Sequence, residues 1–175
     1  VRARGVIAVL VVLGVAVAVG GQEPAAQAEL VGSRGQKVGR ALFFLLPDGG
    51  VRIRVEVQGL TPGEHGIHIH AVGRCDPPDF LTAAGHFNPD GHRHGLLNPQ
   101  GPHAGDLPNL IVRADGRARY EAVSYRVTLD RGQNGVFEAG GRGRALVIHA
   151  QADDHLTDPA GNSGPRVACG VIAPR

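Results

Sequence analysis

From Val51 to Val57 the chain alternates apolar and charged residues without a break. A period of two marks a strand with one buried and one wet face. Lys37–Pro47 is an apolar run of strand length, and the PDGG turn at 47–50 joins the two runs into a β-hairpin. After a second turn, GLTPGE at 59–64, alternation resumes in His65–His70, with Ile67 and Ile69 on one face and His68 and His70 on the other. Gly73 to Asn109 shows no such pattern and is rich in Gly, Pro, Asn and His. Loops of that length in a compact domain are usually functional. Leu110–Ala114 and Arg117–Val123 read as a second hairpin around Asp115-Gly116, and Ser124–Leu129 as a further strand. Residues 132–144 read as glycine-rich turns, Ala145–His149 as a strand, 152–165 as a polar loop and Arg166–Ile172 as the closing strand. Glu29–Gln36 reads as a polar lead-in. The pattern predicts an all-β protein of about seven or eight short strands, an antiparallel sandwich or flattened barrel with two long loops.

Composition agrees. The 27 Gly and 12 Pro of a 175-residue chain favour turns over helices, and the length suits one domain. Residues 1–28 stand apart: Arg2 and Arg4, the apolar run Val6–Val19, then Ala26-Gln27-Ala28. A basic start, an apolar middle and a small-x-small end describe a secretory signal peptide. A membrane anchor would need about 20 apolar residues, and this run is shorter. We therefore expect export, with residues 1–28 removed, residues 29–175 as the working domain and no stable membrane association afterwards. That domain carries 16 basic and 15 acidic groups, a balance that suggests no nucleic-acid partner. Cys75 and Cys169 are the only cysteines, and in an exported protein an even pair implies a disulfide. Closing so long a loop would remove about 4–5 kcal/mol of unfolded-chain entropy.

Histidine changes the picture most. Seven of the nine histidines lie between His65 and His103, in HGIHIH (65–70), GHFNPDGHRHG (85–95) and PHAGD (102–106), and His149 sits in ALVIHA (145–150). Imidazole is the commonest protein metal ligand. His68 and His70 share one strand face, and His149 projects from its own strand in the same manner. Three imidazoles suit copper or zinc. His86, His94 and His103 with Asp106 form a three-nitrogen, one-carboxylate set, the habit of structural zinc. Spacing alone leaves open whether any ligand is shared between the two groups.

The blocks GLTPGEHGIHIHAVGRC, AGHFNPDGHRHG, HAGDLPNL, LVIHAQADD and GNSGPRVACGVI resemble, in order, the signature blocks of the copper,zinc superoxide dismutases, over roughly residues 36–173. The form, with Pro78–Phe80 ahead of AGHFNP, is similar to bacterial exported members. The resemblance implies a Greek-key β-barrel and copper and zinc as cofactors. Copper would bind His68, His70, His86 and His149, and zinc His86, His94, His103 and Asp106, with His86 as the bridge. It further implies that Arg166 attracts and holds superoxide, and that Asp153 links His68 to His94 behind the metals. His65 would be a framework residue and Cys75–Cys169 the family disulfide. The implied activity is dismutation of superoxide to oxygen and hydrogen peroxide by alternate reduction and oxidation of copper, as antioxidant defence in the periplasm, cell envelope or medium. A homodimer is compatible with the resemblance.

Departures from the family qualify this. The loop 150–165 is short, carrying Asp153, Asp154 and Asp158 but no Lys, so positive charge must come from Arg166 and from arginines elsewhere, with Arg93 and Arg74 as candidates. His92 and His155 match no ligand position and are expected to be solvated loop residues. The rival reading is a metal buffer without turnover, which would have no use for Arg166.

Overall fold

The computed structural model describes residues 22–138 and 140–175. The N-terminal run that suggested export lies outside the described residues, apart from its last seven positions. Ten strands follow in order: β1 (Ala26–Gly32), β2 (Lys37–Leu45), β3 (Val51–Gln58), β4 (Gly63–His65), β5 (Ile67–His70), β6 (Leu110–Val112), β7 (Arg117–Ser124), β8 (Ala145–His149), β9 (Arg166–Val171) and β10 (Ala173–Pro174). Among the described residues the one helical piece is a 3₁₀ turn, Leu81–Ala83. Hydrogen-bonded neighbours run β5-β8-β9-β1-β2-β3-β7, with β10 on β1 and β4 paired to β6, all antiparallel. Because β3 meets β7 and β9 returns to β1, the path is Greek-key-like rather than a simple meander.

The predicted β2–β3 hairpin is present, in unbroken register from Gly39↔Val57 to Leu45↔Val51. Its inward residues Val38, Ala41, Phe43, Val51, Ile53, Val55 and Val57 join Leu30, Ile67, Ile69, Leu110, Leu146, Ile148 and Ile172 in one core. Burial of such aliphatic side chains, at about 1.5–3 kcal/mol each, is the main drive to fold. Strands β5 and β8 are buried at every position. One face of each packs on this core, and the other lies beneath the long loops.

Three expectations are corrected. Glu29–Gln36 is no lead-in: β1 begins at Ala26 and pairs with β2 from Ala26↔Phe43 onward. Ala26 and Ala28, read as a cleavage signal, are buried strand residues. Beyond Ser124 there is no strand to Leu129. Val127 is still fully buried, so an apolar side chain anchors irregular backbone there. Lastly, Arg113–Arg117 closes as a hairpin-type turn, but β6 and β7 do not continue as a paired ladder: β6 pairs with β4 and β7 with β3.

A second, smaller core gathers Phe80, Ala83, Ala145, Val147 and Cys169, with Cys75 against it. The Cys75–Cys169 disulfide, Cα–Cα 5.5 Å, ties the segment after Cys75 to β9. Loop 73–84 is thereby fixed at both a covalent and an apolar anchor.

Removing residues up to Ala28 would strip β10 and the end of β2 of their partners. A chain starting at Glu29 should melt about 5–10 °C below one starting at Gln22, by calorimetry. Equal midpoints would show that the fold does not need Ala26–Ala28 and would support removal of residues 1–28.

Candidate metal centre

The long loop does not lie free. It runs back along the outer edge of β5, where the Ile69 N–H donates to the Gly105 carbonyl (2.9 Å) and the Ile69 carbonyl accepts from the Phe87 N–H (2.8 Å). Isolated bridges pair His70 with His86 and His68 with Asp106. Gly105 makes this approach feasible, since a Cβ there would lie 2.2 Å from the Ile69 carbonyl oxygen. Loop ligands and strand ligands are thus set side by side by backbone pairing.

Two four-residue groups result, each with its ligand atoms mutually within 4.8 Å: His68, His70, His86 and His149, and His86, His94, His103 and Asp106. His86 belongs to both, and its ring lies 4.0 Å, centroid to centroid, from that of His68. Acceptors behind the rings decide which nitrogens face inward. A carbonyl oxygen can only accept, so the His70 Nδ1 donates to Ala84 (2.9 Å) and the His149 Nδ1 to Gly164 (3.0 Å), leaving their Nε2 lone pairs free. Asp153 stands between the groups, its carboxylate accepting from His68 Nε2 (2.8 Å) and His94 Nε2 (2.9 Å). That leaves Nδ1 of each ring turned to the metal side.

These arrangements fit metal ions. His68 Nδ1 and His86 Nε2 are buried with no hydrogen-bond partner, which is costly unless something else meets them. The Nε2 atoms of His70 and His149 face each other at 3.4 Å. In the other group, His86 Nδ1–Asp106 Oδ1 is 3.0 Å, His94 Nδ1–Asp106 Oδ1 3.1 Å, and His103 Nδ1 lies 3.4 Å from His86 Nδ1 and 3.5 Å from Asp106 Oδ1. Four ligands at about 2.0–2.1 Å from a tetrahedral zinc ion would be about 3.3–3.4 Å apart.

The sequence profile of the family described as copper/zinc superoxide dismutase matches residues 38–172. The chain belongs to the copper/zinc superoxide dismutase family. It is 48% identical over 153 residues to a Cu-Zn superoxide dismutase of Aquifex aeolicus, covering 86% of this chain and 89% of the relative. It is 42% identical to the superoxide dismutase-like protein YojM of Bacillus subtilis, covering 82% and 74%. The crystal structure of a double mutant of a SOD-like protein from Bacillus subtilis superposes with a TM-score of 0.80 at 42% identity, covering 84% of this chain and 96% of that one. As a copper/zinc superoxide dismutase the chain uses copper and zinc, and both four-ligand groups match the needs of those ions.

Other predicted residues also find places. Arg166 is the cross-strand partner of His149, beside a register shift in β8–β9. Its guanidinium donates to the carbonyls of Phe80 (2.6 Å) and Ala84. His65 is buried with its ring nitrogens 2.7 and 2.8 Å from the carbonyls of His149 and Thr61, as a framework residue would be. His92 is exposed, as expected. His155 is not solvated: its Nδ1 is buried 3.3 Å from the Asp153 carboxylate, so the same acid faces three imidazoles. Arg74 is paired with Asp76, which removes it as a free cation.

Several supports carry no sequence signal of their own. Asn109 grips the Asp153 backbone twice, donating to its carbonyl (2.8 Å) and accepting from its N–H (2.9 Å). The Asp106 carboxylate accepts from the N–H groups of Gly95 and His103, and its carbonyl from Arg126. Arg144 lies 3.6 Å from the Phe87 ring and donates to Ala71, bracing the residue next to His86. Two of these are arginines on glycine-rich or irregular stretches, and only their contacts distinguish them from surface arginines.

Burial, ahead of neighbouring charge, holds His68 at about 3 and His149 at about 4, and pushes His70 and His86 down as well. Their lone pairs are therefore free at neutral pH. Burial also acts against a charged His94, but the hydrogen bonds it donates to Asp106 and Asp153 outweigh it and raise the ring to about 9. Without metal, falling pH protonates the unfolded His68 and His149 from about 6.5, while the folded rings resist until about 4 for His149 and about 3 for His68, so stability drops across that window. His94 works oppositely: its contribution is complete below about 6.5 and disappears as pH rises through about 9.

The thermal midpoint of metal-free protein should therefore peak near pH 6.5 and decline on both sides. Metal-loaded protein should keep its midpoint on the alkaline side, where an ion replaces the His94 proton; parallel curves for both forms would contradict this. Gly161 supplies a further check. A Cβ there would lie 1.7 Å from Asp153 Oδ1 and 2.7 Å from His94 Nε2. Gly161→Ala should weaken metal binding by roughly ten- to a hundredfold in chelator competition, the usual cost of disturbing ligand-orienting partners.

Proposed function

We propose that His68, His70, His86 and His149 hold copper, that His86, His94, His103 and Asp106 hold zinc, and that the shared His86 ring joins the ions in the dismutation of superoxide. The single observation that carries this reading is the membership of His86 in both four-ligand groups, with Nδ1 among the Asp106 set and Nε2 buried without a partner. Copper supplies a one-electron couple that accepts an electron from one superoxide and returns it to the next, and zinc supplies fixed charge.

The chain's own residues account for the rest. Arg166 binds the anion: its charge already presses, behind burial, on both His70 and His149. Two carbonyl acceptors fix the guanidinium, so little orientation is lost when an anion arrives. His86 Nε2 is the atom suited to hold a proton for the departing peroxide, because Nδ1 is committed to the Asp106 side. Asp153 keeps His68 and His94 in one tautomer each, so neither ring can turn away during turnover.

The protein's place outside the cytoplasm is part of the same proposal. It is supported by the basic-apolar pattern before Val19 and by the disulfide. A leader ending before Ala26 rather than at Ala28 would keep β1 whole.

Superoxide consumption by copper- and zinc-loaded protein tests the assignment. Arg166→Ala should lower the second-order rate constant about tenfold or more, and His149→Ala should abolish turnover and reduce copper stoichiometry. Full activity in both variants would refute the assignment. Zinc uptake without copper uptake in the parent protein would point to a metal buffer.

A further inference from the structure

A cleft of about 340 Å³ opens beside Arg166, lined by Pro78, Asp79, Leu81, Gly164 and Pro165. Gly164 is the residue whose carbonyl holds His149, so the cleft adjoins the imidazole set on the His149 side. Its far wall is the segment after Cys75, fixed by the disulfide and by fully buried Phe80. Within that wall Asp79 Oδ1 accepts from the Leu81 N–H (3.1 Å) in an Asx turn that leads into the 3₁₀ turn, which commits one carboxylate oxygen to the backbone. Among the described residues neither Asp79 nor Arg166 has an ion-pair partner within 4.0 Å, whereas the nearby Arg74 and Asp76 neutralise each other. The cleft therefore displays one uncompensated cation and one uncompensated anion. The Asp79 charge is felt at Arg166: burial lowers the guanidinium, and Asp79 is the charge that opposes this.

A monovalent anion approaching Arg166 through this cleft passes Asp79, which lines it. Resting on the reading of Arg166 as the residue that holds superoxide, we propose that Asp79 is an electrostatic brake at the entrance, setting how strongly the cleft draws in small anions. The Asx turn does not need the charge, since an asparagine oxygen accepts the same hydrogen bond. The brake and the turn are therefore separable by one substitution. A carboxylate within a Debye length of the path shifts local anion concentration by a small factor at low salt and by almost nothing at high salt.

Asp79→Asn, Arg166→Ala and the parent, all loaded with copper and zinc, should be compared for superoxide consumption between about 10 mM and 500 mM ionic strength. Asp79→Asn should raise the second-order rate constant roughly two- to threefold at the low end, converging on the parent at the high end, with an unchanged melting midpoint. Optical titration of the copper(II) forms with azide provides a readout independent of turnover. Its dissociation constant should fall by a similar factor in Asp79→Asn, again only at low salt. If Arg166→Ala slows the reaction while Asp79→Asn matches or trails the parent at low salt, the brake is overturned and the reading of Arg166 stands. If Arg166→Ala runs at the parental rate, it is the reading of Arg166 that fails, and the brake with it.

Discussion

Everything chemical in this protein depends on the backbone pairing that lays the long loop against the edge of β5. Ile69 donates to Gly105 and accepts from Phe87, and those two bonds bring Asp106 opposite His68 and His86 opposite His70. An edge strand normally leaves such groups to solvent or to another chain. Here they are used to bring together ligands that come from a strand and from an irregular loop. Because β5 is buried on both faces, Ile67 and Ile69 hold its register from the core while the histidines face the metals. A slip of one residue would exchange the two sets, so the hydrophobic core fixes the orientation of the metal ligands.

Asp153 adds a second constraint, acting on rotation rather than position. Its carboxylate receives His68 and His94, one ring from each group, and its own backbone is clasped by Asn109. A buried acid with this many partners is held well below the ordinary carboxylate range, against the opposing effect of burial. The result is an anion on the side of the rings away from the ions, which fixes tautomers and raises ligand basicity together. The two metal groups are thus mechanically linked twice, in front through His86 and behind through Asp153.

How much of this the sequence discloses depends on whether side chains or backbone carry the information. The β2–β3 hairpin and the split of β5 into isoleucine and histidine faces follow from period two alone, and the resemblance to a family named every residue of the two clusters. Strand β1 was hidden because its inward positions include Ala26 and Ala28, small residues that equally suit a cleavage signal. The stretch after Ser124 misled in the opposite sense: Val127 and Leu129 alternate like a strand, yet Val127 is buried by a loop. His155 was misjudged because its position, with φ near 59°, turns its ring toward Asp153, and no periodicity encodes such a turn. Arg126 and Arg144 are recognisable only through the carbonyls and the ring they touch.

The strained backbone at Ala84 shows what the disulfide and the small core are for. Ala84 has φ 60° and ψ −153°, a region that only glycine visits freely, and such a conformation costs on the order of 1–3 kcal/mol. Its carbonyl accepts from both His70 and Arg166, so relaxing the strain would release the two side chains together. Hydrogen bonds to two side chains, at about 1 kcal/mol each, would not by themselves hold the backbone there. Four residues earlier, Phe80 is fully buried among Ala83, Ala145, Val147 and Cys169, and burial of a phenyl ring is worth about 1.5–3 kcal/mol, enough to offset the strain. The disulfide then removes the alternative in which the segment peels away with its strain relieved. On this reasoning the Cys75 loop is rigid because the site needs one carbonyl oxygen in an unfavourable place, and the stability the bridge adds to the fold is secondary.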